Sequence, residues 1–348
     1  MTIGRTTLSI GAVFGGLALG LAASANAAEV NGPKVQWNFS MWGTPRAATV
    51  GFEDLARRVA AATDGNFTIK IHYGGALSEP KENLDGVAIG AFEMSLVTTG
   101  YIPGKLPVAD GCALPMLPTP TPHHTRVVRE TFYKHPDPIR ELAGWNAILI
   151  MPMPFGSNEF VGRGPAPTSL EDWKGKRVRA LSGDAKAMKA LGAVAQNLPP
   201  PDTYGALERG LVDAVSAGYA TIQPFRWHEI SDWYTTNMAL SSAMSVVPAT
   251  KKAYDALPPQ YKKLLMDKVP ASLDAWEKAY TDADLAALEV FKKKGMRGIT
   301  YSPADLAKLD AAARPIWNEW VADVTKKGYK GKELLDLMLT TARSVKTS

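Results

Sequence analysis

The chain has 348 residues, 46% of them hydrophobic, which is enough for two domains with sizeable cores. Its formal net charge is +5, and the basic residues are scattered, as at Lys251 and Lys252 or Lys292 to Lys294. Such scattering reads as solvated helix faces and argues against nucleic-acid binding. Cys112 is the single cysteine, so no internal disulfide is possible, and beside Leu114 it reads as a buried thiol.

Residues 1–27 read as a cleaved leader. Arg5 is its only charged side chain, an apolar run covers 8–23, and Ala25-Asn26-Ala27 is an A-x-A cleavage site. No twin arginine and no nearby cysteine is present, so ordinary export without lipid attachment is expected. Nothing after the leader is apolar for long enough to cross a bilayer, so no membrane insertion follows cleavage near Ala27. The expected location is a periplasm.

The mature chain opens with a strand over 34–42, a helix over 47–61, a strand over 67–73, a helix over 79–91 and a strand over 92–98. This βαβαβ order implies α/β architecture with a parallel sheet. Ligands sit at the carboxyl ends of such strands, which singles out Ser40, Trp42, Thr98, Thr99 and Tyr101. Residues 103–124 are proline-rich and read as a connector, followed by a helix over 125–133 and a strand over 147–153. A crossing into a second lobe is placed at Pro154-Phe155-Gly156. Residues 234–247 read as one strand bridging both lobes, so two crossings form a two-strand hinge. From 258 onward the pattern is helical, with Trp276 and Tyr280 four apart and Trp317, Trp320, Val321 and Val324 in one apolar stripe. The expected lobes are 28–155 with 243–285 returning to it, and 156–242 with 286–348 packing on or across it.

Residues 169–213 are the most informative stretch. Ser169 can cap a short turn with Asp172 three residues on, and 176–181 alternates basic and apolar residues as a half-buried strand does. A helix from Gly183 to Leu191 ends at Gly192, and a second, capped by Asp202, runs to Glu208 before Gly210. Arg179 shares a strand face with Arg177 and Leu181, and its planar fork can grip a carboxylate with two charge-assisted hydrogen bonds.

Asp172, Trp173, Lys174, Gly175, Val178 and Arg179, then Ala190-Leu191-Gly192, then Tyr204, Ala206, Leu207, Gly210, Val212 and Asp213 stand in fixed order. This order resembles the solute-binding proteins of TRAP transporters, the dicarboxylate-binding (DctP-like) family. The likeness extends over nearly the whole mature chain, including E-N-L-D-G-V-A-I-G-A-F-E-M at 82–94. It implies a two-lobe periplasmic binding protein fold with long C-terminal helices. It also implies an extracytoplasmic receptor that closes on an organic acid and delivers it to a small and a large membrane subunit. Arg179 matches the arginine that anchors the ligand carboxylate in that family.

Two positions depart from the family pattern. Gly156-Ser157-Asn158 stands where a second arginine is usual, and Ala217 stands at or near a usual asparagine. Losing a cation and an amide favours a monocarboxylate with an apolar or aromatic body. Trp42, Tyr101, Phe160, Tyr219 and Trp233 could wall such a pocket or could be core. Asn158 and polar groups such as Ser40 and Thr98 would complete the contacts. Asn237 either contacts ligand or satisfies a backbone group near the hinge.

No metal set is visible, since the adjacent His123 and His124 lack ligand spacing, and no cofactor is implied. The chain has no G-x-S-x-G elbow, phosphate loop or H-E-x-x-H, so no catalytic residue is assigned. A periplasmic enzyme acting on a small carboxylate, or an ABC-type or sensor-linked binding protein, stays open as an alternative.

Overall fold

A computed structural model describes residues 1–2 and 29–346; the expected leader and its cleavage site near Ala27 lie outside the described residues. The chain builds β1 (Val35–Ser40), β2 (Phe67–His72), β3 (Met94–Ser95), β4 (Val97–Thr98) and β5 (Ala147–Ser157). It continues with β6 (Glu159–Gly162), β7 (Arg177–Arg179), β8 (Val194–Gln196), β9 (Ala214–Ala217) and β10 (Trp233–Thr235). β11 (Ser242–Thr250) and β12 (Arg297–Ile299) complete the set among the described residues.

These strands form two sheets, one per lobe. The first runs β2-β1-β3-β11-β4 with β5 paired on β11, and the second runs β12-β10-β6-β9-β7-β8. In the first, β1 lies parallel to β2 and β3, as the βαβαβ pattern implies, while β11 runs antiparallel to β3, β4 and β5. Alternation along β1 buries Trp37 and Phe39 on one face, where Phe39 stacks on Phe52 of the helix Val50–Ala62 at 4.6 Å. The expected strand over 92–98 is broken into β3 and β4, which meet β11 at separate points. The helix Pro136–Ala143 was not anticipated. A proline opens it, and the His135 side chain accepts the Asp137 N–H as its cap.

Two strands carry the chain between the lobes. β5 passes straight through Asn158 into β6. The return over 234–247 is not one strand. β10 ends at Thr235, β11 starts at Ser242, and Ala239 between them sits at φ 41°, a left-handed conformation that ends extended pairing. The two crossings are tied together, because Asn158 N–H donates to the Ser241 carbonyl (2.6 Å) and Leu240 N–H to the Asn158 carbonyl (3.2 Å). The Glu159 carboxylate accepts the N–H groups of Met238 (3.2 Å) and Ala239 (2.9 Å), and burial pushes its pKa up to about 7. Arg129, fully buried, donates to the Met153 carbonyl on β5 and to the Ser242 hydroxyl on β11 (3.0 Å), clamping the hinge strands from one side.

A single 35-residue helix, Pro259–Lys293, spans both lobes. Its first half puts Tyr261, Leu273 and Trp276 into the core that holds Phe39 and Phe52. Its second half puts Ala287 and Phe291 into a separate core with Val161, Val215 and Tyr234. The helices Pro303–Lys326 and Gly331–Ser344 follow, and Trp317 and Trp320 are buried in a third cluster with Val178 and Met188. No helix among the described residues is long and apolar enough to cross a membrane.

Candidate ligand-binding site

β7 is a three-residue strand lying parallel to β8 and β9, and Arg179 stands at its carboxyl end, 4% exposed. Val178 alternates with it into the core. The turn before β7 forms as the S-x-x-D pattern implies, with roles shifted to the acid: Asp172 accepts the N–H groups of Thr168 (2.8 Å) and Ser169 (2.9 Å). The helix after β8 starts at Pro200, because prolines suit its first turn, and Asp202 lies inside it rather than capping it.

The Arg179 guanidinium is held from three directions. Nε donates to the Leu198 carbonyl (2.9 Å), Nη1 to the Ser216 carbonyl (2.8 Å) and Nη2 to the Tyr101 hydroxyl (3.4 Å). A guanidinium has five N–H donors, so one remains on each terminal nitrogen, which is what a carboxylate takes from an arginine fork. The Trp227 ring lies 5.7 Å from the guanidinium carbon.

Beside it stands Asp184, in the first turn of the helix Ser182–Ala190 and 1% exposed. Its Oδ2 accepts from Asn158 Nδ2 (2.8 Å) and from the Ser216 hydroxyl, whereas its Oδ1 has no partner. Burial raises the pKa of this carboxyl, while the hydrogen bonds from Ser216 and Asn158, the nearby Ser241 hydroxyl and the charge of Arg179 pull the other way.

The first lobe contributes the facing wall. Trp42 lies two residues beyond β1, Thr98 ends β4, and Tyr101 follows in a short 3₁₀ turn. Trp42 meets Tyr101 edge-on at 5.7 Å, and its Nε1 is buried without a partner. Thr98 Oγ1 and Ser245 Oγ bond each other at 2.9 Å. Together with Arg179, Asn158, Asp184, Phe155, Leu181 and Tyr280, these residues line a cavity of about 40 Å³ between the lobes. That holds a few water molecules, well short of the roughly 300 Å³ at which ligand pockets begin, so a ring can enter only if the walls part.

A second arginine was not foreseen. Arg46 is 9% exposed and sits 4.6 Å from the Trp42 ring and 5.2 Å from Phe225, a second-lobe residue that also stacks on Trp42 at 6.5 Å. Nη1 donates to the Thr44 carbonyl (2.8 Å), but Nε and Nη2 have no partner, and burial lowers its pKa to about 10.

Of the residues singled out in the sequence, Arg179, Asn158, Trp42, Thr98 and Tyr101 meet in this cavity. Ser40, Thr99, Phe160, Tyr219, Trp233 and Asn237 do not line it. Ser40, the last residue of β1, is buried and donates to Asn83 Oδ1 (2.8 Å). Phe160 packs on Trp173 at 4.8 Å, and Trp233 meets the same tryptophan at 5.9 Å. Tyr219 donates to the Thr235 carbonyl (2.5 Å), and Asn237 bonds both backbone groups of Tyr301 (2.9 and 2.8 Å); the two line a separate pocket that does not include Arg179. His123 bonds Glu277 (3.0 Å) and His124 bonds Thr121 (2.8 Å); no group of three metal-ligating side chains occurs among the described residues.

Sequence reasoning missed Asp184, Arg46, Ser216 and Tyr280. An acid in a first helical turn reads as a surface residue favoured by the helix dipole, and only the burial of that turn says otherwise.

Residues 41–323 match the family described as bacterial extracellular solute-binding protein, family 7. The TsaT transporter protein of Comamonas testosteroni is 24% identical over 287 residues, covering 81% of this chain and 83% of that one. A TRAP solute-binding protein of Rhodoferax ferrireducens, crystallised with copurified benzoate, superposes with a TM-score of 0.79 at 18% identity, covering 89% of this chain and 98% of that one. One from Bordetella bronchiseptica with bound mandelate gives 0.81 at 21% identity, covering 90% and 100%.

Proposed function

The chain belongs to bacterial extracellular solute-binding protein family 7, the DctP family, and on that premise we propose that it is the periplasmic receptor of a TRAP-type transporter for an organic monocarboxylate with an aromatic or apolar body. The observation that carries this reading is the pairing of Arg179, oriented by two backbone carbonyls with two N–H donors to spare, with a cavity walled by Trp42, Tyr101, Phe155, Leu181 and Tyr280. The carboxylate takes the arginine fork and the rings bury the body.

Benzoate and mandelate, bound by proteins of the same fold, are acids of this shape. Arg179 and Leu181 come from the second lobe and Trp42 and Tyr101 from the first, so the contacts are complete only when the lobes close. The ligand favours the closed form by the contacts it makes there alone. After closure the receptor docks on the small and large membrane subunits. A second acidic group on the ligand is the reading that Arg46 favours, because two of its nitrogens have no partner and its guanidinium lies over the same Trp42 ring.

Isothermal titration calorimetry of the mature protein separates these. Benzoate, mandelate and 3-hydroxybenzoate are set against a dicarboxylate series and galacturonate. Saturable one-to-one binding confined to the aromatic monocarboxylates is expected. Binding only of dicarboxylates would replace the monocarboxylate reading by the Arg46 one, and binding of none of these acids would overturn the receptor assignment for organic acids.

A further inference from the structure

Among the residues that line the cavity, the Arg179 fork and the unpartnered Trp42 Nε1 are donors, and both suit oxygen acceptors on a ligand. Asp184 Oδ1 is an acceptor instead. It is a carboxylate oxygen in a residue 1% exposed, lining the cavity, and no donor, the nearby Ser241 hydroxyl included, meets it in hydrogen-bond geometry. Its sister oxygen is saturated by Asn158 and Ser216, which fixes the carboxylate plane and leaves Oδ1 no freedom to turn toward those donors. A buried carboxylate oxygen without a donor costs free energy, and ligand N–H or O–H is the group that recovers it. Ser216 joins the two sites, since its carbonyl accepts from Arg179 Nη1 and its hydroxyl donates to Asp184 Oδ2. The anchor for the carboxylate and the unpartnered acceptor therefore hang on one residue of β9.

We propose that Asp184 is a specificity-determining residue, whose Oδ1 selects acids carrying a hydroxyl or N–H donor within an atom or two of the carboxylate that Arg179 holds. This rests on the organic-acid reading of the cleft and narrows it to hydroxy acids and their N–H equivalents. Plain acids bind more weakly, and a ligand with an acceptor alone at that position is opposed by the oxygen it would face.

Mandelate and phenylglyoxylate test it, because they share a carboxylate and a ring and differ in having a hydroxyl or a keto group beside the carboxylate. By calorimetry at pH 7.5 the wild type is expected to bind mandelate at least roughly tenfold more tightly than phenylglyoxylate. Asp184→Asn keeps its amide oxygen toward Asn158 and Ser216 and turns an NH₂ donor into the cavity, so the ranking should collapse or invert in favour of phenylglyoxylate. An unchanged ratio in the variant overturns the proposal. So does a wild-type preference for the keto acid, which decides the matter even if Asp184→Asn fails to fold. If neither acid nor benzoate binds the wild type, it is the organic-acid reading that fails; if they bind without discrimination, only the role of Asp184 does.

Discussion

On the second-lobe wall of the cleft, Arg179, Asn158, Asp184 and Ser216 are already joined to one another or to backbone carbonyls, with Asp184 Oδ1 left open. On the first-lobe wall, Trp42 Nε1 has nothing to bond, and neither have Nε and Nη2 of Arg46, which lies over the Trp42 and Phe225 rings. The difference separates two tasks. A charge fixed in advance loses little freedom when the ligand arrives, so the second lobe suits recognition. A ring wall gains most from area removed from water, so the first lobe suits burial.

The largest effect should come from breaking the oriented wall. Arg179→Lys keeps the charge but cannot serve Leu198, Ser216 and two ligand oxygens at once. A loss of about 2–3 kcal/mol, roughly 30- to 150-fold in Kd, is expected by calorimetry. A variant within threefold of wild type would place the anchor elsewhere.

A smaller effect tests the burying wall. Phe225 reaches across from the second lobe to Trp42 and Arg46, so Phe225→Ala should weaken the closed form and leave the anchor intact. Loss of such an aromatic pair corresponds to about 0.5–1.5 kcal/mol, roughly a 2- to 12-fold weakening. Stopped-flow should show it mainly as faster dissociation; an effect as large as that of Arg179→Lys would show that the rings rather than the fork carry recognition.

The mildest test is pH. Burial pushes Glu159, which caps the hinge segment, and Glu141, which accepts the N–H groups of Val108 and Ala109, up to about 7. Both folded values lie above the unfolded one, so between the two the native protein binds more protons, and the stability these groups contribute is lost as pH rises through 7. Melting should therefore rise by a few degrees from pH 8 to pH 6.5, on the order of 1–2 kcal/mol from the two glutamates. Below 6.5 the buried His124 and His228, both with lowered pKa, oppose the trend because they charge only on unfolding. Differential scanning calorimetry of Glu141→Gln with Glu159→Gln should show the slope removed; an undiminished slope would assign it to other groups.

Much of the scaffold was legible in the chain because it rests on local periodicity. The alternation in β1 and β2, the strand around Val178 and the apolar stripe of Trp317 and Trp320 all appear where residue spacing puts them. Where a single backbone dihedral decides, as at Ala239, spacing has no signal, and 234–247 read as one strand. The cleft divides in the same way. Trp42, Thr98 and Tyr101 follow from the rule that ligands sit at strand ends, and Arg179 from its motif. Asp184 and Arg46 do not, because a charged residue gives no local sign that distant segments will bury it. Phe160 and Trp233 show the converse: an aromatic side chain looks the same in sequence whether it walls a pocket or fills a core.

The helix Pro259–Lys293 has roots in two cores, with Trp276 fixed in one and Phe291 in the other. Between them lie Tyr280, which faces the cleft, and Asp284, whose carboxylate accepts the Ala220 N–H (2.6 Å). Any change in the angle between the lobes must be absorbed along those few turns, and an unbroken α-helix yields by curving. The helix is thus a third connection between the lobes beside the two strand crossings, and the only one of the three that is helical.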